Sequence, residues 1–516
     1  MVPPSPVPGG AGAGAHPVTI TIDSEHPGPV VPDDFAGLSF ERGPLNPGNA
    51  GVAGSLFTPG NSSLVTLSRN LGLGSLRIGG GTVDQLIPAG TGSDGFTGID
   101  NLFAFAAAAG VKVIYSLRML STPANPIGDL HALHAEAAGH IWDRHRDNVA
   151  SFAIGNEPDW HAYHTYPRHA MDPAIFEAEP GVPGSAYASY LTQWRSLAAA
   201  VTGAAPGALL SGPDLGAYTK MTYTPHPDSG VSWTEQLARD EKDSGRIAEI
   251  TQHYYVGDQP RATTAQQAIS NMLSPEWVNG TAIGTQPAGT TYTPYPWLHE
   301  NNLAPVAAAG LRFRLTESND YLGGVSGASN AYASALWALD HLHWWAAHGA
   351  AGVNFHNRRG LDTATIVPDP AGGGGYVINP KGYGIKAFRL GSAGQVKPVQ
   401  VRNPDGINLT AYCVGGAGQD YVTVINKAHG ASAGDAVVTI VPPRPRLQGV
   451  QVMTLAGGQP GDARGATASL GGATITGDTT WDGKWSTLTL PADPRAGISL
   501  TVKATTAAIV KIQSAG

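Results

Sequence analysis

The sequence predicts an α/β protein: a (β/α)8 TIM barrel followed by a C-terminal β-sandwich domain that also takes an N-terminal strand. Three observations carry this expectation. Eight short apolar runs, separated by helical stretches, follow one another between residues 31 and 385. After Phe388 the helical periods vanish, and short alternating runs broken by Gly, Pro and Asp take over up to residue 516. Val18 to Ile22 alternates as a half-exposed strand does, yet it precedes the first barrel run, so residues 18–30 are expected to join the sandwich.

The barrel runs are read in order. Phe35 to Glu41 is the first strand, Leu73 to Gly79 the second, and Val111 to Leu117 the third, after the alanine-rich helix Asp100 to Ala109. Phe152 to Gly155 is the fourth, and Leu209 to Asp214 the fifth, after the helix Ala186 to Ala200. Ile250 to Tyr255 is the sixth, Leu311 to Thr316 the seventh, and Gly352 to Phe355 the eighth, after the helix Ala331 to Ala347. Residues 258–302 lack both periods and hold Trp277, Tyr292, Tyr295 and Trp297 among prolines and glycines, which suggests an insertion or lid. Beyond the barrel, Tyr421 to Ile425, Ala436 to Val441 and Ile498 to Val502 read as sandwich strands.

Composition narrows the function. Charged residues are only 14% of the chain, the net charge is −8 and no basic run stands out, which argues against nucleic acid or a polyanion gripped by lysines. No uninterrupted apolar stretch reaches 18 residues, so no membrane span is expected. Cys413 is the only cysteine, which excludes an internal disulfide and a cysteine-based zinc site. The 17 histidines form no HExxH or comparable set, so neither a catalytic metal nor a cofactor is expected. Met1 to Pro17, rich in Pro and Gly, reads as a disordered leader, or as what remains where a signal peptide gave way to a start codon. That favours secretion and leaves the cytoplasm open; the oligomeric state is left open too.

Chemistry concentrates at two strand ends. The buried-looking run from Val149 breaks at Gly155 and delivers Asn156, Glu157 and Pro158. In a parallel barrel this C-terminal end is where side chains leave the core and meet substrate. A partly desolvated glutamate there can keep its proton and give it to a leaving oxygen. The competing reading makes Glu157 a cap of the next helix. Leu311 to Thr316 likewise ends in Glu317. Glycoside hydrolysis uses two such carboxyls, about 5–5.5 Å apart when configuration is retained. His253 and Tyr255 share one face of the sixth strand, where a tyrosine can hold the second carboxylate ionised, while Tyr254 faces away toward packing. Glu41 and Asp84 sit at the mouth, where carboxylates accept bonds from sugar hydroxyls. Among the tryptophans, 160, 277 and 297 are candidates for stacking on sugars, whereas Trp344 and Trp345 read as core. Arg358, Arg359 and Lys381 near the eighth strand read as solvated surface. A barrel lyase or aldolase would want a strand-end lysine, but Lys112 begins its strand.

The ordered set Phe40-Glu41, Leu76-Arg77-Ile78-Gly79-Gly80, Ile154 to Asp159, Gly212-Pro213-Asp214, His253-Tyr254-Tyr255 and Leu315-Thr316-Glu317 resembles glycoside hydrolase family 79, the heparanase and β-glucuronidase family. The resemblance runs from about residue 18 to the C-terminus. It implies a retaining exo-β-glycosidase with Glu157 as acid/base, Glu317 as nucleophile and Asn156 on the sugar 2-hydroxyl, with Glu41 and Asp84 lining the glycone pocket. The expected partner is then a small glycoside or an oligosaccharide. In that family a Tyr-Gly-Gly-type loop after the nucleophile reads the glucuronate carboxylate, which points to Tyr321 and Gly323. Here Tyr321 comes one residue early and Leu322 intervenes before Gly323-Gly324. β-Glucuronide therefore leads, β-glucoside or a disaccharide glycoside follows, and a carbohydrate-binding barrel without turnover stays open as a different class.

Overall fold

The computed structural model describes residues 15–45, 56–85, 95–119, 127–159, 185–216, 231–257, 264–281, 284–285 and 291–514, apart from 359, 361, 373, 417, 445, 491–492 and 494–495. Trp160 and Arg359 lie outside the described residues, as does the leader up to residue 14.

Strand β1 (His16–Ile22) is followed by eight parallel strands that close into a barrel. These are β2 (Ala36–Glu41), β3 (Ser75–Gly79), β4 (Lys112–Leu117), β5 (Val149–Ile154), β6 (Leu210–Leu215), β7 (Ile247–Gly257), β8 (Phe313–Tyr321) and β9 (Gly352–His356). They pair in chain order, and β9 returns to β2. Helices fill the crossovers and cover the outside: α1 (Ser62–Leu71), α2 (Thr97–Ala109), α3 (Ile127–His145), α4 (Ser185–Ala204) and α5 (Trp233–Glu241). Then come α6 (Ala265–Met272), α7 (Ala304–Ala308), α8 (Ala333–Ala347) and α9 (Lys381–Gly391). All five residues of β3 and of β9 are buried, as expected of strands covered on both faces.

Three sequence expectations are corrected. The leader was drawn too long, because His16 and Pro17 already pair with Ala436 and Val437 in the sandwich. Segment 258–302 is not irregular throughout: α6 begins with a capping box in which Thr264 and Gln267 satisfy each other's backbone N–H. Its aromatic residues include Trp277 and Tyr295, both buried in the core, so Trp277 serves packing and not sugar stacking. Finally, α9 runs across the expected domain boundary at 385/386.

The sandwich consists of a four-stranded sheet that includes β1 and a seven-stranded sheet. Val18 and Ile20 of β1 pack with Val438 and Ile440 in one core cluster that also holds Val424 and Val510 of the opposite sheet. Barrel and sandwich share a second core, in which Leu455 and Ile509 join barrel residues. A buried polar knot pins them: Asp340 of α8 accepts Lys427 Nζ at 2.6 Å, Thr410 Oγ1 at 2.7 Å and the Tyr412 hydroxyl at 2.7 Å. Sandwich carbonyls of Gly465 and Ala463 also accept the N–H groups of Tyr332 and Ala333 where α8 starts.

Candidate active site

Arg77, fully buried on β3, is the hub at the C-terminal end of the barrel. Its Nη1 donates to Glu317 Oε2 at 2.9 Å and Ser39 Oγ at 3.1 Å. Its Nη2 donates to Asn156 Oδ1 at 2.8 Å and Asp214 Oδ2 at 2.9 Å. Four strands are thus oriented by one planar guanidinium. The glycine run beside it makes room: a Cβ on Gly79 would lie 2.5 Å from the Arg77 guanidinium, and one on Gly80 2.5 Å from Glu41 Oε2.

Local irregularities aim the carboxylates. The β7–β8 register shifts between Leu315 and Glu317. This bulge lets neighbours Thr316 and Glu317 both reach inward, Thr316 to Asp214 and Glu317 to Arg77. Glu157 (φ 49°) and Asp214 (φ 53°) both occupy left-handed backbone that L-residues avoid. They are neighbours, since Glu157 N–H donates to the Asp214 carbonyl at 2.9 Å.

A carboxylate oxygen of Glu157 and one of Glu317 lie within 4.8 Å of each other, with a His253 nitrogen equally close. Glu317 is buried and Glu157 has a quarter of its side chain exposed, so the pair spans core and cleft. Tyr255 donates its hydroxyl to Glu317 Oε1 at 2.6 Å. His253 Nδ1 lies 2.9 Å from Glu157 Oε1. His356, at the end of β9, stands between two carboxylates, with Nδ1 3.5 Å from Glu317 Oε2 and Nε2 3.6 Å from Glu41 Oε1. At these distances the contacts are ion pairs and not hydrogen bonds.

The electrostatics follow. Burial alone would raise the Glu317 pKa, but His356, His253 and Arg77, helped by the Tyr255 hydroxyl, bring it well below the carboxylate range. Burial pulls His356 down, but Glu317 and Glu41 outweigh it and leave the ring's pKa raised. Burial and the Glu317 charge push the Tyr255 hydroxyl well up, so it stays a donor. Glu317 is therefore held ionised, while Glu157 sits toward solvent.

The remaining expected residues divide. Asn156 is buried, and with its carbonyl oxygen taken by Arg77 its amide nitrogen is turned the other way. Glu41 accepts the Thr82 N–H at 2.9 Å and the Thr82 hydroxyl at 2.7 Å through Oε2. Asp84 is turned onto the backbone, where it accepts Met119 N–H at 2.8 Å and Asn156 N–H at 3.2 Å. Its contact with Asn156 makes it a brace for that residue. Tyr321 is buried, and its hydroxyl donates to the Ala268 carbonyl of α6 at 3.2 Å, away from the carboxylate pair. Gly323 (φ 83°) and Gly324 form a tight turn closed by Gly324 N–H to the Tyr321 carbonyl at 3.0 Å. Tyr254 is packing, stacked on His341. Trp344 and Trp345 are core, and Trp297 is half-buried. Arg358 is exposed. Lys381 is corrected: it is fully buried, donating Nζ to Asn319 Oδ1 at 2.7 Å and to the Thr363 carbonyl at 2.7 Å. Asn319 in turn donates to the His356 carbonyl at 2.7 Å, so Lys381 braces the strand end that carries His356.

Sequence reasoning missed His356 as a site residue. The signal was present in its place one residue beyond the expected end of the eighth strand, the position that Glu317 holds after the seventh.

No protein-family model matches the chain, and no curated protein matches it significantly in sequence. Solved structures do match in fold. A 4-O-α-L-rhamnosyl-β-D-glucuronidase from Fusarium oxysporum 12S aligns with a TM-score of 0.65 at 17% identity, over 95% of this chain and 99% of that one. A GH51 arabinofuranosidase from Xanthomonas axonopodis pv. citri aligns with a TM-score of 0.63 at 15% identity, over 96% and 100%. CelM2, a bifunctional glucanase-xylanase from a metagenome library, gives a TM-score of 0.60 at 15% identity, over 97% and 99%. At these identities the likeness carries the architecture, barrel and sandwich together, and leaves chemistry to the site.

Proposed function

We propose that the protein is a retaining exo-β-glycosidase acting on β-D-glucuronides, with Glu317 as nucleophile and Glu157 as acid/base. The observation that carries this reading is the pair of carboxylates within 4.8 Å, one gripped by Arg77 and Tyr255 and the other facing the cleft. That separation matches a covalent mechanism and leaves no room for the water an inverting enzyme places between them. Resemblance in sequence to the β-glucuronidase family and likeness in fold to a rhamnosyl-glucuronidase support the glycone.

In the first step Glu317 Oε attacks the anomeric carbon. The bond to the aglycone oxygen breaks as the Glu157 proton moves onto that oxygen. In the second step ionised Glu157 takes a proton from water, which attacks the anomeric carbon and releases Glu317 as carboxylate. His253, in contact with Glu157, holds it in place through both steps. Asn156 presents its amide to the sugar 2-hydroxyl, Glu41 receives other hydroxyls, and Asp84 sets Asn156 from behind.

Trapping with a 2-fluoroglycosyl fluoride should label Glu317, and a label on any other residue would overturn the nucleophile assignment. Glu157→Ala should slow alkyl glycosides by about 10²–10⁴-fold while dinitrophenyl glycosides react far less impaired. Equal losses on both would remove Glu157 from the acid role.

A second glycone is favoured by the buried Tyr321, whose hydroxyl is taken by α6 and does not reach a sugar carboxylate from there. On that reading the substrate is a β-glucoside. Turnover of nitrophenyl glucuronide against nitrophenyl glucoside separates the two, because a pocket built for a carboxylate leaves polar groups unpaired without one.

A further inference from the structure

Helices α2 and α3 bring Asp100, His140 and His145 together. His140 Nε2 lies 2.7 Å and His145 Nε2 2.8 Å from the same Asp100 oxygen, Oδ1. One ligand atom from each residue falls within 4.8 Å of the others. Both rings are held on aromatic faces: His140 stacks on Phe96 at 4.0 Å and 16°, and His145 on Phe103 at 5.1 Å and 6°. Side-chain exposures of 14%, 21% and 39% for His140, His145 and Asp100 place the cluster at the surface with one open side. Among the described residues no lysine or arginine forms an ion pair with Asp100.

We propose that Asp100, His140 and His145 bind a first-row divalent cation, zinc foremost, which staples α2 to α3 on the outside of the barrel. Two imidazole nitrogens and one carboxylate oxygen are a donor set suited to zinc, and the open side admits a water as fourth ligand. Metal bonds of about 2.0–2.2 Å set tetrahedral ligands about 3.3 Å apart. The present nitrogen–oxygen contacts must therefore open by roughly half an ångström, a movement the partly exposed Asp100 side chain can make. Each neutral imidazole then offers its Nε2 lone pair to the metal and carries its proton on Nδ1. The stacked phenylalanines fix both rings with Nε2 inward, which lowers the ordering needed on binding.

The experiment uses the full chain, stripped with a chelator and titrated with zinc chloride by calorimetry, with thermal unfolding recorded in parallel. Saturable binding of one zinc per chain at this site and a rise in the unfolding temperature are expected. Asp100→Asn and His140→Asn should each weaken that binding by more than the roughly 10- to 100-fold that loss of an outer partner costs. Far-UV circular dichroism establishes that the variants are folded, and cobalt(II) absorption of tetrahedral intensity in wild type alone gives a second, stability-independent readout. Glu157, His253 and Glu317 form the other group of this kind among the described residues, so Glu317→Gln is the control and should keep zinc binding. The proposal is overturned by zinc affinity that is unchanged in folded Asp100→Asn and His140→Asn. Loss of binding only in Glu317→Gln, or no saturable binding by wild type, overturns it equally.

Discussion

Tyr255→Phe tests the site's electrostatics with little steric change, because the ring stays and only a buried hydroxyl 2.6 Å from Glu317 is removed. A hydrogen bond to a charged group contributes about 1.5–3 kcal/mol. On the proposed mechanism its strength follows the charge on Glu317, which is full in the free enzyme, partial in both transition states and absent in the glycosyl ester. Deglycosylation starts from the ester, where the bond is weak, and regains roughly half of its strength at the transition state. Losing that half, about 0.8–1.5 kcal/mol, slows hydrolysis of the intermediate about 4- to 13-fold. Glycosylation starts from the fully charged carboxylate, so the ground state loses about 0.8–1.5 kcal/mol more than the transition state does and kcat/KM rises by a comparable factor. With a dinitrophenyl glycoside the variant should show a lower kcat, a raised kcat/KM, a pre-steady-state burst and glycosyl-enzyme visible by mass spectrometry. A fall in kcat/KM as large as that in kcat, with no burst, would refute the reasoning.

Three further outcomes are expected. His356→Gln removes the ring that helps to hold the Glu317 pKa down, so that pKa rises; on the proposed mechanism Glu317 must be ionised, so the acidic limb of kcat/KM moves to higher pH, and an unmoved limb would show that the ring carries no charge there. Burial holds His134 to about 4 and His341 and His343 each to about 3; their folded pKa values lie below the unfolded value of about 6.5, so stability is lost as pH falls from there toward 4. Near pH 5 these three groups together should steepen denaturant-measured stability by about 4 kcal/mol per pH unit, and His343→Phe should remove about a third of that slope. Asp340→Ala strands the buried Lys427 ammonium and should cost about 3–5 kcal/mol, much of it recovered in Asp340→Ala/Lys427→Met, as read from urea unfolding curves.

Much of this architecture was legible because a parallel barrel writes itself as repeated apolar runs. The runs ending at Glu41 and Asp214 locate strand ends within a residue, whereas β8 continues four residues past Glu317, to Tyr321, as one buried strand. Alternation placed Tyr255 and His253 on one face and Tyr254 on the other. What stayed hidden depends on contacts across many residues. Arg77 reads as one charged residue before glycines, and nothing local says that Glu317, Asn156 and Asp214 converge on it. The bulge that turns both Thr316 and Glu317 inward breaks the two-residue period on which strand reading relies. Lys381 passed for surface because its partners, Asn319 and Thr363, belong to other strands and loops. Helix α6 was masked by flanking prolines and glycines, though Thr264 and Gln267 spelled its cap. Asp100 and His140 stand 40 positions apart, beyond any spacing pattern, and only the packing of α2 on α3 joins them.

The left-handed backbone at Glu157 carries a consequence for how this chain responds to engineering. A side chain held at a φ of 49° costs of order 1–3 kcal/mol, which glycine would largely avoid. Glu157→Gly should therefore melt higher than wild type while losing turnover. Screening variants for heat resistance alone would enrich that change and select against the residue proposed as acid/base.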